Sequence, residues 1–125
     1  MQEKLIRPIL YVSGIVTLLG GLQFFAPSAV LRLSGVAVTE TTGLFYAQHW
    51  ALLVLVIGAM LLYAVRHVEL RRPILLAVGA EKLGLVGMLL MQWSEPALQG
   101  LHPAAAFDAT CLVLYAIYLL RRAPA

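Results

Sequence analysis

An apolar run of 21 residues, Pro73 to Trp93, is broken near its middle by the adjacent pair Glu81-Lys82. At 1.5 Å per residue, a helix of this length spans ~30 Å, the hydrocarbon thickness of a bilayer. On an insertion scale its nine Leu, Ile and Val residues contribute roughly −3 to −5 kcal/mol, and two central charges cost about 5 to 7. Such a segment is marginal alone. Both charged side chains are therefore expected to face protein or trapped water rather than lipid, inside a multi-helix membrane protein.

Composition leads the same way. Of 125 residues, 62% are hydrophobic and 12% charged, with a mean hydropathy of +0.90. A water-soluble domain of this size could not cover its surface with so little charge, so the bilayer must act as part of the solvent. The length allows one domain. The net charge of +3 comes from basic residues at the ends of apolar runs, with no basic stripe interleaved with aromatics, which argues against nucleic acid. Cys111 is the only cysteine and excludes an internal disulfide, a CxxC redox pair and a thiolate metal cluster.

The expected architecture is an all-α, polytopic membrane four-helix bundle forming one domain, residues 1–125, with spans at about 8–26, 44–65, 73–93 and 103–120. The first apolar stretch, Pro8 to Leu31, outruns a secretory signal core, and Pro27 disfavours cleavage after Ala26, so it reads as a retained span. Ser13, Thr17 and Gly21 recur every four residues and mark a face for close helix approach. Between the first two spans, Ser28 to Ser34 suits a short interfacial helix closed by Gly35, with a lid over the bundle as the alternative. Arg66, His67, Glu69, Arg71 and Arg72 read as a short charged hairpin. Pro73 and Pro103 open the third and fourth spans, a position that suits a residue without an N–H. Gly79, Gly84 and Gly87 suggest a closely packed third helix. Lys4, Arg7, Arg66, Arg71, Arg72, Arg121 and Arg122 fall on one side and Arg32 on the other, which predicts cytoplasmic N- and C-termini in a bacterial inner membrane.

The intramembrane polar groups are the candidate site. Helical rise places His49 ~8 Å and Asp108 ~6 to 10 Å below the outer edge, so the two are expected within hydrogen-bonding reach. Glu81 and Lys82 sit ~11 to 12 Å from the inner edge; Lys82 could extend toward Asp108, although the vertical gap of ~8 to 12 Å exceeds its ~6 Å reach without helix tilt or water. Thr42, Tyr46 and His49 share a face of the second helix, as do Asp108, Cys111, Tyr115 and Tyr118 on the fourth. With Ser13 and Thr17 from the first, these stripes would converge on a polar seam. Such a seam either binds a ligand and moves protons through His49, Glu81 and Asp108, or pairs internally to fix helix register. The simplest reading of Cys111 and the two tyrosines is packing.

A bis-histidine haem needs two facing intramembrane histidines, and only His49 is clearly inside. HExxH, GxSxG, P-loop and glycine-rich nucleotide motifs are absent, and no metal or cofactor is predicted. A four-span transporter without repeat symmetry would need to be an oligomer.

Phe24-Phe25-Ala26-Pro27 followed by Leu33-Ser34-Gly35, a small-residue second span around Gly58 and a charged short hairpin together resemble the DoxX-like and related uncharacterised four-helix bacterial membrane proteins. Where those families often place an arginine early in the second span, this chain has His49. The resemblance implies an accessory membrane role, in some members linked to quinone-dependent oxidation, and no catalytic residue is carried over. The leading expectation is an accessory or small hydrophobic-ligand-binding component. Candidate ligand-binding residues are Thr17, Tyr46, His49, Glu81, Lys82, Asp108 and Tyr115. Expected partners are membrane lipid, a hydrophobic small molecule or quinone, and a second copy or another membrane protein. The alternatives are an intramembrane proton-transfer enzyme acting on a lipid-like substrate, such as an isomerase, and an oligomeric transporter.

Overall fold

The computed structural model describes residues 3–26, Arg32, Gly35, Val38 and 40–121. The interfacial helix expected over Ser28 to Ser34 falls almost wholly outside the described residues, as does Arg122. Four helices follow in order: α1 (Glu3–Gly20), prolonged by a 3-10 turn over Gly21–Phe24; α2 (Thr41–Arg66); α3 (Arg71–Met91); and α4 (His102–Arg121). A 3-10 turn over Val68–Leu70 joins α2 to α3, and another over Pro96–Leu101 leads into α4. No strand occurs among the described residues. Each helix, with its adjoining turn, is long and apolar enough to cross a membrane, as the four apolar runs require.

The helices begin earlier than the proline positions suggest. Pro8 lies inside α1, and Pro73 is the third residue of α3. Near a helix start the first four N–H groups lack intrahelical partners, so Pro73 removes nothing. Glu3 and Arg71 explain both extensions. The Arg71 guanidinium grips Glu3 at two points, Nη1 to Oε2 at 2.6 Å and Nη2 to Oε1 at 2.8 Å. Its Nε donates to the Ala64 carbonyl at 2.8 Å and Nη2 to the Val65 carbonyl at 2.6 Å. Those two carbonyls belong to the last turn of α2, where no intrahelical donor reaches them. Arg71 therefore fastens the start of α1 and the end of α2 to the start of α3. Within the short charged hairpin expected here Arg71 is the buried member, 1% exposed, because an arginine with four such acceptors is better satisfied inside than in water.

Around this clamp lies the apolar core, in which Ile6, Leu10, Leu61, Val65, Ile74, Leu75 and Val78 pack with Tyr115 and Tyr118. α1 packs mainly along α2, and α3 mainly along α4. Glycine permits the first pairing. A Cβ on Gly58 would stand 2.9 Å from the Leu18 backbone nitrogen, and one on Gly14 would stand 2.9 Å from the Leu62 side chain. The close approach thus runs through Gly14, Gly21 and Gly58, whereas Ser13 and Thr17 bond to carbonyls of their own helix. The expectation of a closely packed glycine face on α3 is not met. Gly84 and Gly87 have nothing within 4 Å of an added Cβ, because they lie off the face of α3 that carries the buried Lys82 and Leu89.

Gly58→Ala is expected to destabilise the bundle by about 1–3 kcal/mol, since the new methyl meets backbone that cannot move aside. Gly84→Ala should be neutral or stabilising by up to ~1 kcal/mol through helix propensity. Denaturant titration in detergent, followed by circular dichroism, separates the two. Arg71→Met should cost at least ~2 kcal/mol in the same assay, because it leaves the Ala64 and Val65 carbonyls without this donor and removes the ion pair to Glu3.

Candidate functional site

Lys82 lies nine residues from Met91, where α3 ends, and Asp108 lies six from His102, where α4 begins. The difference in height across their hairpin is therefore three residues, or ~4.5 Å, which an extended lysine covers. The expected gap was too large because α3 stops two residues before Trp93 and α4 starts one residue before Pro103. Lys82 Nζ sits 2.7 Å from Asp108 Oδ1, with both side chains buried. The Phe107 ring lies 5.2 Å from the same nitrogen, a cation–π distance that favours the ammonium. Burying two charges carries a desolvation cost that is met only when they meet each other at good geometry, as here.

The pair forms one wall of a half-open cavity of about 450 Å³ lined by residues of all four helices. That volume lies within the ~300 to 1,000 Å³ range of small-molecule sites. Thr17, Gly20 and Gln23 come from the α1 side, Trp50 and Val54 from α2, Glu81 and Leu85 from α3, and Ala104 and Phe107 from α4. Most of the lining is apolar, and the polar groups are few. The Thr17 hydroxyl donates to the Ser13 carbonyl at 2.6 Å. Gln23 donates through Nε2 to the Gly20 carbonyl at 3.2 Å, while its buried Oε1 has no hydrogen-bonding partner among the described residues. Glu81, half-buried, makes no hydrogen bond or ion pair among the described residues.

Of the candidate residues, Thr17, Glu81, Lys82 and Asp108 meet at this cavity. Tyr46 and His49 do not: both are exposed on α2, and no His49–Asp108 hydrogen bond forms. The inner face of α2 is taken by Ala51, Val54, Gly58 and Leu61, whose spacing follows the helix period and whose small or apolar side chains fit against α1. The stripe Thr42, Tyr46 and His49 is thereby turned roughly to the opposite side. Tyr115 is buried but lies outside the cavity lining, its hydroxyl donating to Ser13 Oγ at 2.7 Å, which in turn donates to the Ile9 carbonyl at 2.7 Å. The α4 stripe of Asp108, Cys111, Tyr115 and Tyr118 is buried throughout.

Gln23, Trp50 and Phe107 were not singled out from sequence. For Gln23 a signal was present, since it is the single amide in the first apolar run. Trp50 and Phe107 look like any aromatic near a span end. No group of residues suited to a metal ion occurs among the described residues. Comparison with known protein families, curated proteins and solved structures finds no match to this chain.

Lys82→Met or Asp108→Leu alone is expected to cost about 3–5 kcal/mol, since each strands a buried charge. The double variant should cost much less than the sum of the two. A thermal denaturation cycle over wild type, both single variants and the double measures the coupling; additive effects would show that the two groups do not depend on each other.

Proposed function

We propose that this chain is a multi-pass protein of the bacterial inner membrane, with cytoplasmic termini, that binds a small amphipathic molecule as an accessory component. The cavity carries this reading. It combines an apolar wall for a hydrocarbon body with a few polar groups, the usual make-up of a small-molecule site. Lys4, Arg7, Arg66, Arg72 and Arg121 lie at the clamped end of the bundle, which supports the orientation through the positive-inside rule. A place among the DoxX-like proteins belongs to the same proposal, resting on the residues that carry the resemblance. The alternative of a proton-transfer enzyme using His49, Glu81 and Asp108 requires all three on one cavity. His49 stands outside it, so binding is favoured over catalysis by that triad.

Ala104 is exposed on the cavity wall, so Ala104→Trp should fill the space while the helices stay folded. Native mass spectrometry of the protein released from membranes is expected to find a bound amphiphile in wild type and a loss of at least ~10-fold in its occupancy in the variant. An equally occupied variant, or an empty wild type, would reject the reading. For orientation, a membrane-impermeant maleimide applied to spheroplasts should label Glu95→Cys and spare Glu69→Cys. Cys111 is buried and does not interfere.

A further inference from the structure

We infer that the cavity selects an amphiphile whose head is a hydrogen-bond-donating ammonium, held by Glu81 and Gln23. The inference deepens the binding reading above and rests on it. Three formal charges line the cavity, and Lys82 and Asp108 neutralise each other at 2.7 Å. The charge left over is that of Glu81, which has no partner among the described residues. Gln23, 6% exposed, contributes to the same cavity, and its Oε1 is a buried acceptor without a donor among the described residues. The amide cannot simply be turned over, because Nε2 donates to the Gly20 carbonyl and the swap would set two oxygens against each other.

Both unmet groups offer acceptor oxygens, and one is a carboxyl group that a cation would hold ionised. A head with N–H donors and a positive charge answers both, and charge-assisted hydrogen bonds are about twice as strong as neutral ones. A carboxylate head would face Glu81 charge to charge. A quinone presents carbonyl acceptors and leaves Gln23 Oε1 unsatisfied. Trp50 and Phe107 add aromatic faces to the wall, surfaces that also favour cations. The ammonium belongs either to a soluble lipophilic amine or to the headgroup of an aminophospholipid.

Dodecylamine, dodecyltrimethylammonium and dodecanoate share one body and differ in the head. Titrated into the full chain in neutral detergent, with Trp50 fluorescence read in a Trp93→Phe background, dodecylamine is expected to bind at least ~10-fold tighter than either of the others. Glu81→Gln should remove about 10- to 100-fold of that affinity, and Gln23→Leu about 10-fold, while dodecanoate binding is not weakened by either change. Should one variant fail to fold, the other, together with the ranking of the three probes, still decides. Equal or tighter binding of dodecanoate, or of the trimethylammonium probe that lacks donors, overturns the inference while leaving a binding cavity. If none of the three binds, the binding reading falls with it. Release from vesicles of phosphatidylethanolamine and of phosphatidylcholine then identifies the source. Retention of the former alone points to a lipid headgroup; retention of neither, with dodecylamine still bound, points to a soluble amine. Preferential retention of phosphatidylcholine overturns the inference.

Discussion

The ion pair between Lys82 and Asp108 is the contact around which the bundle is arranged. Both residues sit inside segments that must otherwise satisfy a hydrocarbon solvent, and neither charge is tolerable there alone. Joined at 2.7 Å beneath the Phe107 ring, they tie α3 to α4 and fix which faces of those helices point inward. Once that register is set, the α4 stripe from Asp108 to Tyr118 is buried, and Tyr115 comes within reach of Ser13 on α1.

The bundle has two unlike ends. Towards the termini it is closed: Arg71 gathers three helix ends, the Gly14–Gly58 crossing brings α1 and α2 nearly into backbone contact, and the apolar core fills the remainder. Past the level of the ion pair the helices part around a half-open cavity instead, with Glu81, Gln23 and Trp50 on its walls. Tight packing at one end holds the helices in place, so a cavity can persist at the other without the bundle collapsing into it. A binding site in the looser half is the natural use of such a division.

Polar groups in the cavity wall divide into those already satisfied and those left open. Lys82, Asp108 and Thr17 have partners within the protein. Glu81 and the Gln23 carbonyl oxygen have none among the described residues, the first half-buried and the second fully so. An unmet buried acceptor such as Gln23 Oε1 is uncommon because it costs free energy on folding. Its presence in one cavity with the half-buried Glu81 is what separates this wall from ordinary packing.

Sequence alone determined the class of fold. Four apolar runs of bilayer length, parted by short polar breaks, leave no other way to satisfy so many backbone groups in lipid. It also determined that Glu81, Lys82 and Asp108 had to turn towards protein, since the cost of a lone intramembrane charge depends on residue type and depth, both of which can be counted. What tertiary structure decided was partnership. Whether Lys82 reaches Asp108 turned on where two helices stop and start, a matter of one or two residues that hydropathy does not resolve. Whether His49 faces in or out was settled by competition for the inner face of α2, which the small and apolar residues won because they fit against Gly14 and Leu18. Arg71 looked like one of several surface cations, and only the meeting of Glu3, Ala64 and Val65 around it made burial favourable. Such outcomes depend on contacts between residues distant in the chain, and no local pattern encodes them.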